Sequence, residues 1–130
     1  MQKLAWFFGA LLILVGILGF IPSLAPNGNL FGIFEVGILH NLVHLVTGLV
    51  FAYVASASAK ASRTAFKVFG VVYALVAVIG LAQGDTVLGL IDTNMADHLL
   101  HVVAAVVFLY VGFGIKEKHS MAENGAMPSM

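Results

Sequence analysis

The sequence predicts an all-α fold: a four-helix transmembrane bundle built from two copies of a two-helix unit in parallel topology. Three observations carry this expectation. Of the 130 residues, 61% are apolar and 9% charged, far outside the balance of an ordinary soluble domain. Four apolar runs, Leu4–Ile21, Val36–Ser58, Ala65–Ala82 and Asn94–Ile115, each have about the 17–25 residues that a helix needs to cross a hydrocarbon core roughly 30 Å thick. Finally, residues 32–54 align without a gap onto residues 89–111, pairing Gly32 with Gly89, Glu35 with Asp92, His40 with Asp97, Asn41 with His98 and His44 with His101. Phe51 and Tyr53 recur as Phe108 and Tyr110. A β-barrel would require more and shorter alternating segments.

The length allows one domain, taken as residues 1–115, with one copy of the unit at about 4–58 and the other at about 65–115. The first run, after Lys3, has some likeness to a secretory leader with Ser23-Leu24-Ala25 as its cleavage site. A single basic residue is a thin leader flank, however, and the run is long for a leader core. Phe8-Gly9 also recurs as Phe69-Gly70 in the third run, so the first run belongs to the repeat. An outer loop, 22–35, is punctuated by Pro22, Pro26 and Gly28. The second run carries Gly48, Ala52 and Ser56 at every fourth position, a stripe that lets a neighbouring helix approach closely. A basic loop, 59–64, joins the copies. A shorter outer loop, 83–93, precedes the fourth run. Each outer loop ends in an apolar stretch just before its acid, expected to lie along the membrane interface. Thr93 or Asn94 is the expected N-cap of the last helix, with Asp97 completing a capping box after Asn94; the second run has no such signal. The polar tail 116–130, with His119, is expected to be disordered and cytoplasmic.

Charge fixes the expected orientation. Lys3, Lys60, Arg63, Lys67, Lys116 and Lys118 are all the Lys and Arg residues of the chain, and all fall on one side of the predicted spans. The opposite loops hold Glu35, Asp85 and Asp92. By the positive-inside rule both termini are cytoplasmic, which places a multi-pass protein in the plasma (inner) membrane. Each unit has an even number of spans, so the copies share one orientation and are expected to be related by a pseudo-two-fold axis along the membrane normal. Trp6, Tyr53, Tyr73 and Tyr110 are read as aromatic belts. The absence of cysteine removes disulfides and thiolate metal sites.

Ionisable groups inside apolar runs are rare and call for partners. At about 100° per residue, His40 and His44 lie some 40° apart on one helix face, and Asp97 and His101 make the same arc on another. Three readings fit. In the first, His40, His44, Asp97 and His101 ligate zinc, copper or iron, with Glu35, Asn41, Asp92 and His98 orienting the imidazoles. In the second, His44 and His101 are axial ligands of a haem or other tetrapyrrole, and Gly48 and Ala105 leave room for the macrocycle. In the third, the same side chains only hydrogen-bond between helices, contributing about 0.6–2 kcal/mol per contact. Glu35 and Asp92 as paired acid–base catalysts compete with the simpler reading of solvated carboxylates. No nucleophile triad, phosphate loop or nucleic-acid surface is visible.

The paired segments LFGIFEVGILHNLVHLVTG and LGLIDTNMADHLLHVVAA resemble a family of short four-helix bacterial membrane proteins catalogued as a domain of unknown function. That family's pattern has Asn-x-x-His-x-x-x-Gly in the second helix, matched by Asn41, His44 and Gly48, and Ala-Asp-Asn-x-x-His in the fourth, matched by Ala96, Asp97 and His101. His98 departs from it, standing where the pattern has Asn. The resemblance covers most of residues 4–115 and implies the fold and the site, with no activity to carry over. The expected role is a small membrane binding or accessory protein with its site at the extracytoplasmic end, as a homo-oligomer or as a structural subunit of a larger membrane complex. The alternatives are a redox protein holding haem between the second and fourth helices and a metal-dependent membrane enzyme.

Overall fold

A computed structural model describes residues 1–115; the tail expected to be disordered, 116–130, lies outside the described residues. Four helices make the bundle: α1 (Gln2–Leu18), α2 (Ile38–Ala57), α3 (Ala59–Gln83) and α4 (Met95–Leu109). The last continues through a wider π turn, Tyr110–Gly114. Three of these are long and apolar enough to cross a membrane, and α1, with 17 residues, is a shorter apolar helix. Its end at Leu18 falls short of the expected Ile21, because Gly19 and Phe20 close the helix in a turn. Large apolar side chains cover the outside, among them Phe7, Leu49, Val78 and Val106, each more than half exposed. This surface suits lipid and not water. The chain is an integral membrane protein.

The basic segment 59–64 is not a loop. Ser58 alone separates α2 from α3 in an extended conformation, and its hydroxyl accepts from the Ala61 amide, 3.0 Å, as the N-cap of α3. The buried Ser62 hydroxyl completes the corner by donating to the Ser58 and Val54 carbonyls. Lys and Arg are good helix formers, so a capped start needs no unstructured spacer.

Helix pairs α1–α2 and α3–α4 pack most extensively. The α1–α2 crossing exists because Gly9 faces Gly48: a methyl built on Gly48 would sit 2.8 Å from the Gly9 carbonyl oxygen and 2.7 Å from the Ile13 side chain. The small stripe on α2 is therefore a helix contact. At the basic end, Gln2 donates to the Ala55 carbonyl, 3.0 Å, and Arg63 donates to the Gly112 and Ile115 carbonyls at 3.0 and 2.6 Å. Arg63 thus satisfies carbonyls that the end of α4 leaves open. The interior above this end is aromatic, with Phe8, Phe51, Phe66 and Phe108 in mutual ring contact at 4.9–5.8 Å.

At the opposite end each outer loop forms a minimal hairpin. Strand β1 (Asn29–Leu30) pairs antiparallel with β2 (Phe34–Glu35), and β3 (Thr86–Val87) with β4 (Ile91–Asp92). Leu30 and Val87, at aligned positions, are buried inward, while Phe31 and Leu88 are exposed at the tips. Asn94 ties the ends together by donating to the Ile33 carbonyl, 2.9 Å.

Both turns hold two successive residues in the left-handed region, Phe31-Gly32 (φ 56° and 72°) and Leu88-Gly89 (φ 58° and 68°). Glycine accepts this freely, whereas the branched Leu88 does so at a cost of about 1–2 kcal/mol. Leu88→Asn installs the Asn-Gly pair that such a turn favours. It is expected to raise the thermal unfolding midpoint by about 2–6 °C. A lower midpoint would mean that the exposed leucine contributes more through membrane or partner contact than the turn loses in strain.

Candidate functional site

The buried face of α2 runs His40, Asn41, His44, Thr47, Gly48, Phe51, and that of α4 runs Asp97, His98, His101, Ala105, Phe108. The order from the hairpin end inward is therefore polar, small, aromatic on both helices. Two histidines one turn apart on α2 must share a face, and facing helices then bring His101 of α4 to them. Ring centroids are 4.6 Å apart for His40–His44, 5.8 Å for His40–His101 and 6.4 Å for His44–His101. One nitrogen from each ring lies within 4.8 Å of the other two. All three side chains are buried, at 5–7% exposure.

Among the described residues, buried side-chain polar atoms without a hydrogen-bond partner lie on these three rings and on Asn41, Tyr73, Thr93 and His98. Both ring nitrogens of His40, and Nδ1 of His44 and of His101, are buried without a partner in full hydrogen-bond geometry among the described residues, the Glu35 backbone making a looser contact with His40. Each such nitrogen costs about 1–3 kcal/mol if nothing satisfies it. By contrast Thr47 donates to the Val43 carbonyl, 2.8 Å. The His98 ring sits on α3, with Nε2 2.5 Å from the Gly84 carbonyl oxygen and its edge where a methyl on Gly80 would be. Asn41, at the aligned position of the other half, lies against Gly19 of α1 in the same manner.

Asp97 is buried at 2% exposure and closes the expected capping box: Asp97 N–H donates to Asn94 Oδ1, 3.0 Å, and Asn94 N–H donates to Asp97 Oδ2, 3.1 Å. It also lines a cavity of about 90 Å³ with His40, His44 and His101, so it stands beside the three-ring cluster and outside its tightest grouping. Glu35 is half-buried in β2. Asp92 is exposed in β4. Of the residues expected around the imidazoles, Asn41 and His98 pack on neighbouring helices. The room expected beside Gly48 for a macrocycle is taken by Gly9 and Ile13 of α1.

Tyr73 is the residue that the sequence misplaces. Trp6, Tyr53 and Tyr110 are exposed, at 50–73%, as belt residues would be, but Tyr73 is 6% exposed. Its ring lies 5.8 Å from that of His101 and 5.4 Å from that of Phe108, and its hydroxyl, in looser contact with the Thr47 side chain, has no partner in full hydrogen-bond geometry among the described residues. On the α2–α3 side, His40, His44, His101, Tyr73, Thr47 and the buried Thr93 line a second cavity, of about 160 Å³.

Three imidazoles converging from two helices are a ligand set for a borderline transition metal. Tetrahedral coordination with bonds of about 2.0–2.1 Å requires nitrogens about 3.3 Å apart. The rings would therefore close by at most about 1.5 Å on an ion, a movement within reach of side-chain rotation.

The chain belongs to the family described as a domain of unknown function (DUF4383), which it matches over residues 2–114. No curated protein and no solved structure matches it.

Proposed function

We propose that this member of the DUF4383 family is a membrane metal-binding protein, in which His40, His44 and His101 hold one transition-metal ion between α2 and α4, with the Asp97 carboxylate beside the three rings and outside the ligand set. The observation that carries the reading is the set of four buried ring nitrogens without partners, drawn from three rings that already face one another. Hydrogen bonding between helices alone would leave them unsatisfied. A tetrapyrrole held by His44 and His101 is less well supported. The flanking cavities are about 160 and 90 Å³, below the roughly 300 Å³ at which pockets for larger organic ligands begin. His40 also lies against both candidate axial rings.

The protein so read is a small binding or accessory unit, alone, as a homo-oligomer or within a larger membrane complex. Matching hairpins, and matching contacts of Asn41 on Gly19 and His98 on Gly80, support treating its halves as two copies of one unit. In the plasma membrane, both termini are cytoplasmic and the histidines lie toward the extracytoplasmic face. Ser23 and Ala59 are exposed at opposite ends. Single cysteines there, in a chain otherwise free of cysteine, should be labelled by an impermeant reagent from the outside and from the cytoplasm respectively. Labelling of both from one side would contradict the topology.

Elemental analysis of the protein purified in mild detergent should find one transition-metal ion per chain. His44→Ala should lose it almost entirely, since two imidazoles remain. His98→Asn should retain it, because His98 is held by α3 and not by the cluster. Equal metal content in the native chain and His44→Ala would contradict the assignment.

A further inference from the structure

The buried polar atoms without partners are concentrated in one place. The 160 Å³ cavity is lined by His40, His44 and His101 and also by Tyr73 and Thr93, whose hydroxyls are buried without a partner in full hydrogen-bond geometry among the described residues, the Thr47 side chain making a looser contact with Tyr73. Thr93 is 1% exposed and Tyr73 6%, so neither hydroxyl has bulk water to turn to. Thr47, whose hydroxyl donates to the Val43 carbonyl, and six apolar side chains, Val43, Phe69, Val72, Val76, Val87 and Ile91, make up the rest of the wall. A small apolar chamber with a few convergent polar groups is the usual form of a ligand pocket.

The two sides of the histidine cluster differ chemically. The 90 Å³ cavity on the other side touches the same three rings, but its remaining walls are Val15, Leu30, Phe31, Phe34, Val36 and Leu100, with the Asp97 carboxylate. Positions aligned with Tyr73 and Thr93 in the first half of the chain are Leu12 and Val36. Hydroxyl donors therefore exist on one side only, and the carboxylate on the other. An anion approaching the cluster meets O–H groups from the Tyr73 side and a like charge from the Asp97 side.

We propose that the larger cavity is the external-ligand pocket of the metal centre. A small anion of one to three heavy atoms, hydroxide or a linear or bent anion of that size, occupies the coordination position left by the three imidazoles and accepts a hydrogen bond from the Tyr73 phenol, with Thr93 as a second donor. Three protein nitrogens with one open position is the arrangement by which metal sites admit exogenous ligands. A hydroxyl aimed at the bound anion strengthens it in a dry chamber, where such a bond is worth more than in water. The cavity volume sets the size limit, and the apolar walls exclude larger polar species.

This inference rests on the metal reading, and the test separates the two. The purified full-length chain is loaded with cobalt(II), whose visible bands report its coordination, and titrated with azide. Saturable change in the cobalt bands is expected, and Tyr73→Phe should raise the azide dissociation constant about tenfold, the weight of one hydrogen bond to a charged group, with cobalt content unchanged. Thr93→Val should act in the same direction, and Val36→Ala, in the other cavity, should not. Cobalt uptake without any azide response, or an azide affinity indifferent to both Tyr73→Phe and Thr93→Val, would overturn the pocket while leaving the metal site standing. A chain that takes up no cobalt would overturn both.

Discussion

Inside a bilayer every polar group must find its partner within the protein, and the structure is organised around that constraint. Several of its polar side chains meet it locally. Asn94 and Asp97 cap each other's backbone, Thr47 and Ser62 return their hydroxyls to carbonyls of their own corner, and His98 reaches the Gly84 carbonyl. The three clustered histidines, Tyr73 and Thr93 differ in that their open atoms belong to residues lining one cavity, whereas those of Asn41 and His98 lie singly against the end of α1 and against α3. A divalent ion satisfies several such nitrogens together, which no single hydrogen-bond donor does.

The surrounding architecture holds the rings in place. Gly9 against Gly48 brings α1 onto α2, and Gly80 makes room for His98 between α3 and α4. The Phe8, Phe51, Phe66 and Phe108 cluster forms a floor whose ring contacts continue through Tyr73 to His101. Leu30 and Val87 of the two hairpins close the chambers from above. Rigid surroundings of this kind confine ligand groups to small adjustments, as a metal site needs.

Much of this was legible in the chain, and the exceptions have physical causes. His40, His44 and His101 were readable because helical spacing fixes which side chains share a face, and the aligned segments fix which faces recur. The capping box at Asn94 and Asp97 was readable because its chemistry is local. The helical start of α3 was hidden by its basic residues, which suit a cytoplasmic loop and a helix equally. The hairpins were hidden because two-residue strands are too short to show alternation, and because Phe31 and Leu88 are not turn formers. Tyr73 was assigned to a membrane belt because nothing in its own run connects it to histidines on other helices. The one available signal was a phenol standing where the other half has Leu12. Contacts between non-adjacent helices are the part that periodicity does not encode.

The central claim is that three imidazoles from two helices ligate one metal ion. X-ray absorption at the metal edge of the protein purified from membranes tests it most directly. Three imidazole nitrogens at about 2.0–2.1 Å are expected, with one further oxygen or nitrogen donor completing the shell. A purified chain without a stoichiometric metal, or a metal whose shell contains no more than one imidazole, would contradict it.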